Sequence, residues 1–282
     1  MPPKEPQAGN QKVKIAFQGE LGAYSESAVY TFFGKSAEVK PCRDFKDVFE
    51  SVDKQETPFG VVAIENSLEG SVNQTYDLFL KYDLKVCGEV IVKIDHCLIA
   101  NHNTRLEAVE AVYSHPQALA QCRNFLERSR WELIPTYDTA GSVKMLKEKA
   151  MKNAAAVASE RAAELYGMKI LARDIADNPE NYTRFFVLSK EDSPITGRDK
   201  TSIIFSATHQ PGSLYHALGE FAQRSINLMK IESRPTKETP WEYNFYLDFE
   251  GHRSEQRCTE ALKALEKYAV FIKILGSYPK AA

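Results

Sequence analysis

The sequence predicts an α/β domain over residues 12–190 and a smaller α+β domain over residues 201–282. Three observations carry this. Short apolar runs alternate with segments of helical period from Lys12 to Leu188, as in largely parallel sheets covered by helices. A polar stretch with Pro194 and Gly197, residues 191–200, interrupts the pattern as an interdomain linker does. Beyond it the order becomes βαββαβ, a ferredoxin-like layout.

Residues 1–11 are polar and read as a leader without an apolar signal core, so export is not expected. Lys12–Gln18 is a short apolar strand, and the glycines of Gly19–Ser25 turn it into a helix over Glu26–Phe33. Phe45, Val48, Phe49 and Val52 share one helical face, and the strand Gly60–Ile64 stops at Glu65, Asn66 and Ser67. Thr75–Tyr82 is helical and Leu84–Ala100 extended, with a small helix near Leu106. Ala111–Ser114 forms a strand, and Pro116 opens a helix expected to run to about Ser129. The strand Glu132–Tyr137, the turn Asp138–Ser142, the helix Val143–Lys149 and the strand Ala154–Ala158 follow. Ser159 caps a helix that Gly167 ends, and Tyr182–Leu188 is a buried strand. In the second domain, strands at Thr201–Thr208, Ile226–Ile231, Tyr243–Phe249 and Val270–Leu275 accompany helices at Gly212–Gln223 and Ser254–Ala269.

A net charge of −2 without any basic run gives no case for nucleic acid or an anionic membrane. No apolar stretch is long enough to span a bilayer, so a cytoplasmic protein is expected. Five scattered cysteines without a C-x-x-C pair, and dispersed histidines, predict no disulfide framework and no metal site. Neither a phosphate-binding loop nor a dinucleotide fingerprint is present.

Function is legible in where the polar clusters fall. Residues 19–25, 65–71, 114–121, 138–142 and 159–160 each follow a strand, so folding can gather them at the carboxyl ends of sheets, where ligands bind. Several open helices, whose free N–H groups favour an anion. Thr183 and Arg184 stand in the aromatic strand that closes the domain.

Together, GELGAYSE (19–26), IENSLEGSV (64–72), SHPQALAQC (114–122), DTAGS (138–142), NYTRF (181–185) and IESRP (231–235) resemble the prephenate dehydratase family, including arogenate dehydratases, over essentially the whole chain. The resemblance implies a periplasmic-binding-protein-like α/β domain of two lobes, the second near residues 96–175, followed by an ACT regulatory domain. It implies decarboxylating dehydration of prephenate to phenylpyruvate in phenylalanine biosynthesis, without a cofactor. Arogenate as substrate stays open, and a non-catalytic amino-acid sensor is a distant alternative. The family's functional positions would fall on Glu65, Asn66, Ser114, Gln121, Thr183 and Arg184.

Thr183 is the expected hydrogen-bond donor to the departing hydroxyl, although an isolated strand threonine is ordinarily a packing residue. Strand alternation turns Arg184 away from Thr183, so carboxylate clamp and structural salt bridge both stand. Asn66 is favoured over Glu65 as the direct contact, because a second carboxylate repels a dianionic substrate; a cap for the next helix is the competing reading. Ser114 is expected to face the cleft, and Gln121 either joins it or lies on a solvated helix face. Thr139, Ala140, Gly141 and Ser142, with Tyr24 and Ser25 opposite, are candidates for binding substrate carboxylate. Gly212, Ser213 and Leu214 with Glu232, Ser233, Arg234 and Pro235 resemble the ACT motifs for L-phenylalanine, Ser213 replacing a usual alanine. A homodimer or homotetramer is implied, with the ACT domain serving L-phenylalanine inhibition or dimerisation alone.

Overall fold

The computed structural model describes residues 13–236 and 242–281; the leader expected at residues 1–11 lies outside them. Two compact units emerge: residues up to Leu80 with Val90–Phe185, and Lys81–Glu89 with residues from Phe186 onward.

The described chain opens with β1 (Lys14–Gln18), α1 (Tyr24–Phe33), β2 (Glu38–Cys42), α2 (Phe45–Asp53), β3 (Phe59–Asn66), the short β4 (Gly70–Ser71), α3 (Asn73–Lys81) and β5 (Lys85–Lys93), the last of which starts in the second unit and ends in the first. β1 pairs in parallel with β2 and β3 and is fully buried at Ile15, Ala16 and Phe17, which is why it reads as an uninterrupted apolar run. Asp44 and Asp47 form a reciprocal capping box that starts α2, and the helix buries Val48, Phe49 and Val52.

A second sheet uses β6 (Cys97–Ala100), β7 (Ala111–Ser114), β8 (Glu132–Pro135), β9 (Ala154–Ala158) and β10 (Lys169–Ala172), in the order β10-β6-β9-β7-β8. Its helices are α4 (Pro116–Gln121), α5 (Arg123–Leu126), α6 (Thr139–Glu148) and α7 (Glu160–Tyr166). β11 (Tyr182–Ser189) returns to the first sheet, giving the order β2-β1-β3-β11-β5 with β4 beside β3. The unit therefore has two lobes, and β11 enters between β3 and β5.

Three departures from the sequence reading have physical causes. β2 and β10 were not expected because both are sheet edges: β2 is short of apolar residues and carries Pro41, which fits an edge, and β10 is apolar but only four residues long and half-buried. The second sheet is mixed, since β6 runs antiparallel to both β9 and β10. The helix from Pro116 breaks at Cys122, because the Asp177 carboxylate accepts from Asn124 N at 3.0 Å and caps a fresh turn. That cap arrives from 53 residues away, beyond the reach of local periodicity.

The second unit carries β12 (Asp199–Ala207), α8 (Ser213–Ala222), β13 (Leu228–Pro235), β14 (Tyr243–Glu250), α9 (Gln256–Leu265) and β15 (Ala269–Pro279). The antiparallel sheet β13-β14-β12-β15 packs Ile203, Phe205, Leu247 and Phe249 against Ala217 and Phe221 of α8 and Ala261 and Leu265 of α9. The linker expected over 191–200 is shorter than that, since Asp199 and Lys200 are already buried ladder residues. The motif Glu232–Pro235, placed beyond a strand by the sequence, lies within β13.

Residues 81–89 join this unit through close contacts. A side chain at Gly276 would strike Val86 O at 2.2 Å. Lys200 Nζ donates to both Glu89 oxygens, at 2.8 and 2.9 Å, with the two side chains 8% and 1% exposed. Deleting one partner leaves the other charge buried, so Lys200→Met is expected to cost about 3 kcal/mol. That is the low end for such a loss, because Ala281 N still donates to Glu89. Urea unfolding should show the deficit, and the double substitution Lys200→Met with Glu89→Gln should recover part of it.

Candidate functional site

Asn66 ends β3, and Thr183 is the second residue of neighbouring β11. Asn66 Oδ1 accepts the backbone N–H groups of Leu68 and Glu69, each at 3.0 Å. Those two bonds orient the amide, leaving Nδ2 to donate. Three acceptors surround it: Asn181 Oδ1 at 2.7 Å, Thr183 Oγ1 at 3.0 Å and Tyr182 O at 3.1 Å. Thr183 Oγ1 thus receives a hydrogen bond, which frees and polarises its own O–H for an outside acceptor.

Gln121, the last residue of α4, reaches this group from the second lobe, its Oε1 accepting from Asn181 Nδ2 at 2.9 Å. The break at Cys122 matters here, since Asp177 N also holds Gln121 O at 2.8 Å. Gln121 Oε1 lies 3.0 Å from His96 Nε2, and His96 Nδ1 lies 2.9 Å from Tyr24 Oη. His96 and Asn181 are the residues that sequence reasoning missed as participants. The available signals were a histidine interrupting the apolar run up to Ala100 and an asparagine inside the NYTRF motif.

Burial holds the His96 pKa below its ordinary value and pushes the Tyr24 phenol well above its own. For His96 the sign for stability follows. The unfolded chain binds the proton more readily, so stability falls as pH drops below about 6.5 and levels off below the lowered folded value.

Glu65 and Arg184 follow the strand alternation. Asn66 and Thr183 share one face, and Glu65 and Arg184 meet on the other, where Arg184 Nη1 stands 3.6 Å from Glu65 Oε2. The guanidinium is committed to a carboxylate of the chain itself, which removes the repulsion expected from a bare Glu65.

Ser114 does not face the cleft as expected. It is fully buried, and its Oγ donates to Val157 O at 2.6 Å, tying β7 to β9. Tyr24 Oη also lies 2.7 Å from Asp95 O, and Ser25 is buried, so the hydroxyl expected to meet a carboxylate lies among internal partners.

At the α6 start, Gly141 N donates to the Asp138 cap at 2.7 Å, Ala140 is buried, and Ser142 Oγ bonds Asp138 O and Thr136 Oγ1. Asp138 therefore occupies the amide site expected for substrate carboxylate; Thr139 alone of the four residues is half-exposed. Burial raises the Asp138 pKa against the amide bonds that lower it. A 190 Å³ cavity beside α6 is lined by Tyr137, Gly141 and Ser142 but not by Asn66, Gln121 or Thr183.

The Gly19–Ser25 loop joins the lobes. Glu20 accepts from Tyr137 Oη at 2.9 Å and Lys144 Nζ at 3.0 Å, and Ser159 Oγ donates to Gly22 O at 2.7 Å. Burial opposes the ionised Glu20, yet the Lys144 and Tyr137 bonds hold its pKa below the usual value. Gly22 has φ +91°, and a Cβ there would sit 2.9 Å from Ala162 Cα, so this position requires glycine.

In the second unit, a 510 Å³ cavity is lined by Thr208, Ser213, Leu214, Tyr243, Phe245 and neighbours. Gly212, with φ +85°, starts α8, and Ser213 Oγ bonds Thr208 Oγ1 at 2.8 Å, which accommodates the hydroxyl where the motif usually has alanine. Glu232, Ser233, Arg234 and Pro235 do not line the cavity; the last three pair with Phe245, Asn244 and Tyr243 on β14.

No helix among the described residues is long and apolar enough to cross a membrane. Among them, too, no group of three metal-ligating side chains occurs.

Comparison with known proteins agrees with this layout. The family model for prephenate dehydratase matches residues 15–193. That for the ACT domain matches residues 201–267. The bifunctional chorismate mutase/prephenate dehydratase of Aquifex aeolicus is 46% identical over 274 residues, covering 96% of this chain and 75% of the relative. Arogenate dehydratase/prephenate dehydratase 2 of Arabidopsis thaliana, a chloroplastic protein, is 44% identical, over 96% of this chain and 74% of its own length. The crystal structure of prephenate dehydratase from Arthrobacter aurescens, in complex with L-Phe, superposes with a TM-score of 0.87 at 32% identity, covering 95% of this chain and 90% of that one. Sharing that two-lobed unit and the ACT domain behind it, the chain belongs to the prephenate dehydratase family.

Proposed function

We propose that the chain converts prephenate to phenylpyruvate, with Thr183 donating to the hydroxyl that leaves. The ring C–O bond breaks as the opposite carboxylate departs as carbon dioxide. The two electrons of that C–C bond complete the aromatic ring, and the leaving hydroxide takes a proton to become water. Aromatisation drives the step, so the protein's tasks are to donate at the departing oxygen and to hold the ring in place.

The observation that carries this reading is the bond from Asn66 Nδ2 to Thr183 Oγ1. A threonine hydroxyl is a poor acid; one that already accepts a hydrogen bond donates more strongly. Gln121 orients this pair from the other lobe. Arg184 serves to neutralise Glu65 and set the charge near the substrate, with no direct clamp required of it. Thr139, half-exposed at the start of α6, is the candidate for the substrate carboxylate, while Tyr24 and Ser25 are held within the fold as supports. Ser114, Ala140, Gly141 and Ser142 act as supports.

The second unit binds L-phenylalanine as effector, an assignment supported by the cavity against Ser213 and Leu214 and by the L-Phe complex of the Arthrobacter relative. Exposed Met229, Ile231, Val270 and Phe271 on its strands support assembly into a homodimer or homotetramer. Five free thiols fit a reducing cytoplasm.

Arogenate is the second reading, favoured by a 44% identical relative whose name carries both activities. Incubation with each substrate separately, with assay of phenylpyruvate and phenylalanine, decides between them. Phenylpyruvate from prephenate is the expected product, and absence of product from both would return the protein to a sensor role.

A further inference from the structure

The hydrogen bonds around Thr183 have a single direction, set by two backbone groups. An amide N–H can only donate, so the N–H groups of Leu68 and Glu69 fix which end of the Asn66 side chain is oxygen. Asn66 Nδ2 therefore donates to Asn181 Oδ1. Asn181 then turns its own Nδ2 to Gln121 Oε1. That oxygen is an acceptor, and the atom facing it at 3.0 Å is His96 Nε2, which must carry a hydrogen.

On the far side of the ring, Nδ1 lies 2.9 Å from Tyr24 Oη, whose hydroxyl donates to Asp95 O at 2.7 Å and can share that proton with a bare Nδ1. The ring is 2% exposed, and burial disfavours a second proton on it. Six side chains, Tyr24, His96, Gln121, Asn181, Asn66 and Thr183, thus form one connected series spanning both lobes, with Asn66 donating to both its neighbours and Gln121 accepting from both of its own.

We propose that His96, as the neutral Nε2–H tautomer, is a positioning residue for the reaction, holding Gln121 and, through Asn181, the Asn66 amide that directs the Thr183 hydroxyl. Primary amides pass on orientation and not protons, so His96 supplies no proton to the substrate. The opposite tautomer would set two acceptors against each other at Gln121 and favour a flip of that amide. The flip would run through Asn181 and meet the fixed Asn66 as a conflict. The inference rests on Thr183 being the donor to substrate.

Two measurements test it. His96→Leu keeps bulk and deletes both nitrogens, and His96→Gln returns an amide N–H near the position of Nε2. The expected result is a kcat lower by about 10- to 10²-fold in His96→Leu, with KM for prephenate within about twofold, and substantial recovery in His96→Gln. In the wild-type protein, ¹⁵N spectra of labelled histidine should show one buried ring with a protonated Nε2 and a bare Nδ1 at neutral pH. That signal should vanish in His96→Leu.

A folded His96→Leu with wild-type kcat overturns the proposal. So does an Nδ1–H or doubly protonated His96 in the wild-type spectrum, a readout that stands even where His96→Leu does not fold. Failure of the wild-type protein to turn over prephenate counts against the proposed reaction, while the tautomer still tests the direction of the series.

Discussion

Thr183→Val is expected to lower kcat for prephenate by about 10²–10³-fold while leaving KM and thermal stability near wild type. The magnitude is that of removing one aligned donor from a site where charge develops on a departing oxygen. The prediction separates chemistry from folding because of a count at Asn66. Its Nδ2 has two hydrogens and three acceptors, Asn181 Oδ1, Tyr182 O and Thr183 Oγ1. Loss of the hydroxyl leaves two acceptors for two hydrogens, and no buried donor is orphaned. Valine keeps the β-branched shape that suits the strand. Thr183→Ser, which retains the hydroxyl, should keep much of the activity. Steady-state kinetics with a parallel thermal melt check both halves, and a Thr183→Val protein that turns over at near-wild-type rate would remove Thr183 from the reaction.

The architecture was legible because its central strands announce themselves. β1, β9 and β11 are buried on both faces, and their apolar runs need no tertiary information to be read. What stayed hidden depends on partners remote in sequence. β2 and β10 are half-solvated edges, and the end of α4 is set by Asp177. The assignment of residues 81–89 to the second unit rests on Val86 meeting Gly276 and Glu89 meeting Lys200.

At the site, period-two alternation already separated Thr183 from Arg184, and the structure adds that Arg184 faces Glu65. Asn66 meets Thr183 directly, and Gln121 reaches the pair through Asn181. The same motifs also carried residues whose work is structural. Ser114 spends its hydroxyl on Val157, Gly22 packs against Ala162, and the α6 amide thought open to a ligand is capped by Asp138. A motif records that a residue is needed, and only its hydrogen-bond partners distinguish a support from a contact. His96 shows the reverse. Its local sequence shows only a polar break in an apolar run, and its place emerges when Gln121 and Tyr24 arrive on either side.

Asn66→Asp tests the polarity of the whole group, and it is expected to cost about 10³-fold in kcat together with about 1–3 kcal/mol of stability. The substitution is isosteric, and one oxygen can still accept from Leu68 N and Glu69 N. The other takes the place of Nδ2 and confronts three acceptors, the nearest of them Asn181 Oδ1 at 2.7 Å. Thr183 relieves its part of the conflict by turning its O–H into the new carboxylate, which withdraws the proton from the substrate. Protonation of the introduced carboxyl restores a donor, so burial among acceptors raises its folded pKa above the unfolded value of about 3.9. The native state then binds more protons than the unfolded state between those two values. The stability deficit relative to wild type is therefore smallest below about pH 4 and grows as pH rises through the raised folded pKa. Asn66→Ala, which deletes the donor without adding a carboxyl, should show no such trend. Urea unfolding of both variants across that pH range, with kcat measured wherever they remain folded, distinguishes an inverted hydrogen bond from a missing one. An Asn66→Asp deficit that is flat with pH would mean that Nδ2 does not face the acceptors from which the direction of the series was deduced.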